Sequence, residues 1–495
     1  MSMEIGNQHA ALLCSPGMGH LIPVLELGKR LVTHQYFTVT IFFVPSKTSA
    51  AESELLDASA FPCGLDIIEL PSPDVSCLLH PDAAVVTRLA EMMRQVRPAF
   101  RAALHDMINF RHRRPTVLIV DLFGTQSLPI AEEFGIPKYV YIASNAWFLS
   151  VMIYSPTLDE QVKGEFNDLK DPLQIPGCRQ LSPEHDIVNA LLDRSNQQYD
   201  EHMLMGRGIP KGDGILINIW EELEPKTLAA LRDEKLLGRF SNGPVFPIGP
   251  LMRPKSSGSS GDVLGWLDEQ PNESVIYVSF GSGGALSYEQ MVELAWGLEM
   301  SRQRFVWVIR SPIVTFADEA FFTAGSHGGD VNNPIRYLPK GFLGRTKNIG
   351  LVIPLWASQV DILAHPSVGG FLTHCGWNST LESITNGVPM ITWPLYAEQR
   401  LNATLLTEEL GVAIRSKVPP WKNVVEREEI EEMVRKIMED KEGFALRDRT
   451  KNLKFSGAKA LEQGGSSHNA LSQFTKHAEM FLQFANGVVP PSQVP

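Results

Sequence analysis

Short apolar runs alternate along this chain with longer stretches in which apolar residues recur at helical spacing. A strand that is apolar at every position is buried on both faces, which is the pattern of parallel strands covered by crossover helices. Residues 9–14, 38–43, 117–120 and 139–142 read as strands of a first sheet. Residues 275–279, 305–309, 351–353 and 369–372 read as a second set, with 389–393 as a further short buried strand. The expected class is α/β, with parallel sheets in two domains. Between the sets lies RPKSSGSSG, flexible by composition. The expected division is therefore a first domain at 1–252, a linker at 253–262 and a second domain at 263–465, with residues 466–495 forming a last helix, near 467–484, and a disordered tail. The polar, glycine-rich run 324–333 reads as a mobile surface loop.

Length agrees with two cores, since 495 residues exceed what one ordinary core holds. A net charge of −12 argues against a general nucleic-acid or anionic-membrane binder and turns attention to small partners. The five cysteines, Cys14, Cys63, Cys77, Cys178 and Cys375, are scattered and form no C-x-x-C pair, a reduced, cytosolic pattern. No apolar run reaches the length of a membrane span and no basic-then-apolar leader is visible. The expectation is a cytoplasmic monomer that does not insert into membranes.

The densest chemistry lies in 356–399, WASQVDILAHPSVGGFLTHCGWNSTLESITNGVPMITWPLYAEQ. Trp356 offers a flat apolar face for a base, and Glu382 an acceptor for both hydroxyls of a ribose. His374-Cys375-Gly376-Trp377-Asn378-Ser379 reads as a strand end, a glycine turn and a helix opening, where free N–H groups and the helix dipole favour phosphate. Glu398 and Gln399 come just after a short strand, where they could hold sugar hydroxyls. Taken singly, a tryptophan before a helix anchors a core and a glutamate on a helix is solvated. The string as a whole carries the reading of a nucleotide-sugar site.

That string closely resembles the signature box of the plant secondary-product UDP-glycosyltransferases, glycosyltransferase family 1. The resemblance spans nearly the full length, through SPGMGH at 15–20, the strand ending in Asp121, PIGPL near 250 and YVSFGSGG from Tyr277. Within the family the chain looks most like the arbutin-synthase-like, hydroquinone glucosyltransferase branch. The resemblance implies the two-domain glycosyltransferase-B fold, two Rossmann-like domains facing across a cleft, with the last helix returning to the first. It also implies an inverting mechanism with a UDP-sugar donor. Ser282, Trp356, Ser358, Gln359, His374, Trp377, Asn378, Ser379, Glu382, Glu398 and Gln399 fall on the donor positions. Gln399 and Trp377 go with glucose in the family, so UDP-glucose is the expected donor. Ser358 departs from the proline usual there, which bears on local stiffness.

Sugar transfer to an alcohol needs a base for the acceptor proton, and imidazole suits that task near neutrality. His20 opens the first helix after a glycine turn and is the candidate. Asp121 ends a very apolar strand, where a carboxylate needs a partner, and is the candidate to orient His20. By resemblance Met18, Leu122, Phe123 and Phe148 line an apolar bay for a small aromatic acceptor. No Asp-x-Asp pair occurs, so no metal or other cofactor is expected, and the helix N-terminus would stabilise the leaving diphosphate. The spacing of His365, His374 and Cys375 does not suit tetrahedral zinc. A nicotinamide-dependent oxidoreductase would want an acidic residue after the second strand, where Phe43-Val44-Pro45-Ser46 stands instead.

Overall fold

The computed structural model describes residues 8–45, 55–56, 61–80, 82–110, 113–255, 261–313 and 333–485. The expected loop at 324–333, apart from Asn333, lies outside these residues, as do the tail from 486 and positions 256–260 of the expected linker. The first sheet contains β1 (His9–Cys14), β2 (Thr38–Phe43), β3 (Leu65–Glu69), β4 (Val117–Asp121), β5 (Lys138–Ile142), β6 (Ile215–Ile217) and β7 (Val245–Pro247). The second contains β8 (Val275–Ser279), β9 (Arg304–Ile309), β10 (Gly350–Pro354), β11 (Val368–Thr373), β12 (Met390–Thr392) and β13 (Ala413–Arg415). Every ladder is parallel. The class is α/β, with two Rossmann-like units.

The strand orders are β3-β2-β1-β4-β5-β6-β7 and β10-β9-β8-β11-β12-β13. In each sheet the first strand in the chain is central and the order reverses beside it, between β1 and β4 and between β8 and β11. Loops leaving neighbouring strands at such a point go to opposite faces and leave a crevice at the carboxyl ends. Ligand chemistry therefore belongs just past the ends of β1, β4, β8 and β11. Those positions hold the helix bearing His20, the Asp121 turn, the Gly281–Ser282 turn and the His374 loop.

Packing joins the two units. One continuous core includes Leu13, Val120 and Trp220 from the first unit with Phe371, Trp377 and Leu381 from the second. The far face of the first sheet is closed by the last helix, Ser466–Ala485, whose Leu471, Phe474 and Ala478 are buried with Leu12 and Phe246. Tyr139 and His477 share a 2.6 Å hydrogen bond across that contact. Among the described residues no helix is long and apolar enough to cross a membrane.

Candidate active site

A cavity of about 300 Å³ lies between the two units. It is lined by His20 and the acceptor-bay residues Met18, Leu122, Phe123 and Phe148, and equally by all eleven residues assigned to the donor. Asp121 alone among the expected site residues does not reach it. It sits directly behind His20, 1% exposed against 19% for the histidine.

His20 lies in the first turn of the Met18–Gln35 helix, with its ring edge-on to Phe123 at 5.3 Å between centroids. Its Nδ1 is 3.4 Å from Asp121 Oδ2, yet is not aligned for a hydrogen bond. The two groups stand close without a directed hydrogen bond, a separation that small side-chain adjustments could close. Asp121 is held from elsewhere. Ser15 donates to it twice, N–H to Oδ2 at 2.9 Å and Oγ to Oδ1 at 2.6 Å, and the Gly124 N–H donates to Oδ1 at 3.2 Å. Those donors offset the desolvation of a buried carboxylate and fix the face it turns to the imidazole. Because Nδ1 faces the carboxylate, Nε2 is the nitrogen left for the cavity. The role of Ser15 carries no signal in the sequence, where it reads as a residue of a turn.

Across the cavity, β11 ends at Thr373 and the chain turns through Cys375 at φ 66° into the Trp377–Asn386 helix. No side chain caps that helix, so its first N–H groups are left for a ligand. His374 sits where two glycines make room, since a Cβ on Gly281 or on Gly376 would stand 2.5 Å from its ring. Burial, helped by the charge of Arg310, pulls the His374 pKa down to about 4. Near neutrality it is a neutral imidazole, able to donate to phosphate without carrying charge.

Gln359 organises the next pair. Its Nε2 donates to Ser379 Oγ at 2.8 Å and to Glu382 Oε2 at 2.7 Å. Burial raises the Glu382 pKa to about 7, opposed by the Gln359 amide and the charge of Arg253. Burial also raises the Glu398 pKa, opposed in part by its own backbone and by nearby His20, and Ser144 donates to its Oε1 at 3.3 Å. Trp356 is 46% exposed, its ring open to the cleft with Arg253 Cζ 6.0 Å from its centroid. Arg253 falls within the expected flexible linker. It lines the cavity instead, because the chain leaves PIGPL directly over the donor wall.

Three donor residues are placed differently from the simplest expectation. The Trp377 ring is 3% exposed and its Nε1–H donates to the Asn218 carbonyl at 2.9 Å, so it anchors one unit on the other and serves the cavity from the helix start. Gln399 turns its Oε1 to the N–H groups of Leu395 and Tyr396, at 2.8 and 3.1 Å. The Ser358 hydroxyl turns back to Asp361. Asn378 bridges the units, its Nδ2 donating to the Gly19 carbonyl at 3.1 Å.

Three of the six described non-glycine residues with positive φ, Leu355, Cys375 and Ala397, directly adjoin Trp356, His374 and Glu398. Left-handed backbone is costly for a residue with a Cβ, and its gathering at these points marks a site whose side chains are aimed by their surroundings. Other lining residues carry no sequence signal. Arg310 reads as the end of a strand, and His202 as helix core; the latter meets Ser155 Oγ at 2.9 Å. His365 bonds Asp268 and Ser367, away from His374. Among the described residues no three His, Cys, Asp or Glu converge as metal ligands would.

Comparison with known proteins identifies the family. The family described as "UDP-glucoronosyl and UDP-glucosyl transferase" matches residues 260–443. Anthocyanidin 3-O-glucosyltransferase 5 of Manihot esculenta is 60% identical over 465 residues, covering 94% of each chain. The hydroquinone glucosyltransferase of Rauvolfia serpentina is 42% identical over 467 residues, covering 94% of this chain and 96% of its own. Among solved structures, TcCGT1 in complex with UDP superposes with a TM-score of 0.88 at 47% identity, covering 96% of this chain and all of that one. With a glycosyltransferase-B fold, a two-sided cleft and relatives of this closeness over nearly its whole length, the chain belongs to the plant family 1 UDP-glycosyltransferases and is a glycosyltransferase enzyme.

Proposed function

We propose that this protein transfers glucose from UDP-glucose, with inversion, to a hydroxyl or amine of a small aromatic acceptor. The observation that carries this reading is that one cavity is lined on one wall by His20 and an apolar bay and on the other by Trp356, His374, Ser379, Glu382, Glu398 and Gln399. The relatives named for anthocyanidin and hydroquinone support an aromatic acceptor, and both are named as glucosyltransferases.

In this mechanism the acceptor ring lies against Phe123 and Phe148, with its oxygen near His20 Nε2. The oxygen attacks the anomeric carbon, its proton passes to His20, and the bond from that carbon to the diphosphate oxygen breaks with its electron pair leaving on UDP. The new bond forms on the face opposite the leaving group, which inverts the centre. Asp121 stabilises the imidazolium as it forms. Charge growing on the diphosphate meets the open N-terminus of the Trp377–Asn386 helix, the His374 imidazole, Ser379 and Ser282, so no metal is called on. Trp356 stacks the uracil, Glu382 accepts from the ribose diol, and Glu398 with the Gln399 amide holds the sugar. The reading is of a cytoplasmic monomer, in keeping with the five free cysteines.

The test is UDP release and product mass with UDP-glucose and a panel of phenols, anilines and indolic alcohols, in EDTA. Turnover adding one hexose to an aromatic acceptor is expected. Tight UDP-glucose binding with no transfer to any acceptor, or transfer abolished by EDTA and restored by a divalent ion, would overturn the proposal.

A further inference from the structure

At the carboxyl ends of β12 and the edge strand β13 a second cavity, of about 120 Å³, is closed over by the turn through Pro419, Pro420 and Trp421. It shares no lining residue with the cleft. Its wall carries Arg400, Arg415, Lys417 and His185 and, among the described residues, no carboxylate. Three of these side chains are already engaged: Arg415 with Asp186 at 3.7 Å and Thr404 Oγ1 at 3.0 Å, Lys417 with Glu432 at 2.8 Å, and His185 with Glu184 at 3.6 Å.

Arg400 differs. It is 7% exposed, lines the cavity, and among the described residues is joined to no carboxylate and no hydrogen-bond acceptor. Its guanidinium stands over the Trp421 ring, with Cζ 4.5 Å from the ring centroid. Trp421 Nε1 is likewise a buried donor with no acceptor among the described residues. Burial alone pulls the Arg400 pKa down to about 10. A desolvated guanidinium without a counter-charge is strongly unfavourable, and a cation–π contact offsets little of that.

We infer that this cavity is a binding site for a compact phosphate-class oxyanion, seated between the Arg400 guanidinium and the Trp421 indole N–H. The volume admits a group of a few heavy atoms, well short of a drug-sized ligand. Donors converge from separate elements, the Gln399–Thr404 helix, the end of β13 and the 416–421 turn, which suits a tetrahedral set of oxygens. The ligand is either free phosphate or the phosphoryl end of a larger molecule, and the same donors serve both. Arg400 is next to Gln399 on one helix, so an occupant here braces an element that also lines the cleft.

The experiment is a thermal-unfolding titration with inorganic phosphate, and in a second arm with glucose 6-phosphate, at constant ionic strength. Excess UDP keeps either ligand from registering by entry into the cleft. The parent should show a saturable rise in Tm, as mass action requires of a ligand bound by the folded state. In Arg400→Met the apparent Kd should weaken at least about tenfold, and in Trp421→Phe, which keeps the ring and removes the N–H, by several-fold. Saturation with phosphate alone identifies the free anion as ligand; saturation with both identifies the phosphoryl group wherever it is carried. Identical titrations for the parent and both variants, or only a non-saturating drift that sodium acetate reproduces, would overturn the assignment.

Discussion

Asn378 Nδ2 donates to the carbonyl of Gly19 at 3.1 Å, and so ties the helix whose first turn bears His20 to the helix that opens on the diphosphate position. The proposed acceptor base and donor cradle belong to different sheets, and this bond joins them together with Trp377 Nε1 to Asn218. In Asn378→Ala the bond is lost while the helix start remains open. We expect a stability loss of about 1 kcal/mol. Activity should suffer more, with kcat down roughly ten- to a hundredfold, because small misplacements of reacting groups are costly. Steady-state kinetics beside chemical denaturation check this; a loss confined to stability would count against the positioning role.

His20 and Asp121 should separate chemistry from architecture. His20→Ala removes a partly exposed ring and no hydrogen bond, so stability should change by less than about 1 kcal/mol while kcat falls about a hundred- to ten-thousandfold. Asp121→Asn places an amide NH₂ among the donors of Ser15 and Gly124, which leaves buried donors unsatisfied. It should cost about 2–3 kcal/mol in addition to activity. Equal stability losses for the two variants would contradict this division.

On the proposed donor assignment, Glu382 gives UDP-glucose binding a pH dependence. Its folded pKa is raised to about 7, above the unfolded value, so the stability due to its proton is full below the unfolded value and is lost as pH rises through about 7. In the proposed mechanism the ribose hydroxyls would donate to the ionised carboxylate, so UDP-glucose binding should favour loss of that proton. Affinity should therefore rise with pH up to about 7, by up to about tenfold per unit, and level off above it. UDP-glucose is the ligand to use, because its diphosphate does not titrate in that window. Calorimetry across pH on the parent and Glu382→Gln should show a steeper slope in the first than in the second, where the Glu398 carboxyl, also raised by burial, is left to titrate against the donor.

Gly281 is at φ 74°, and a Cβ there would stand 2.5 Å from His374 Cε1 and Nε2. Gly281→Ala carries both the strain of a left-handed alanine and a clash that must push the imidazole from its seat. We expect a stability loss of about 1–2 kcal/mol and a donor Kd weakened at least about tenfold. A variant that bound UDP-glucose like the parent would show that His374 does not need that position.

The elements were legible in proportion to their length and burial. Strands β1, β2 and β8 coincide with largely apolar runs of five or six residues, whereas β6, β7 and β13 are three residues each, too short to show a period. The edge strand β3 was missed because it is only partly buried, and Asp66 and Glu69 break its apolar run. At the site, residue type and order along 356–399 suggested a nucleotide-sugar wall, and the family resemblance carried the residue-by-residue assignment of what lines the cleft. Side-chain direction was not legible: nothing in the sequence says that Trp377 turns its indole to Asn218 or that Gln399 turns its carbonyl back on Leu395. Nor could Arg253, read as linker, be placed beside Trp356 without the fold that brings residues so distant in sequence together.

Trp356 offers the cleanest separation of binding from folding. It is among the most exposed large apolar side chains near the cleft, at 46%, and comes directly after Leu355, whose φ of 69° turns the chain so that the ring stands over the cavity rather than in a core. A tryptophan left in water contributes little stability, which accords with the proposed base-stacking role. Replacing it by alanine should change stability by less than about 1 kcal/mol. Loss of base stacking should weaken UDP and UDP-glucose alike by about 1–3 kcal/mol, seen as a rise in KM with kcat nearly kept, because the base is as tightly stacked before transfer as during it. Phenylalanine at 356 should recover part of the affinity. Should Trp356→Ala instead lower kcat at unchanged KM, the ring would be acting on the reacting centre and the stacking assignment would fail.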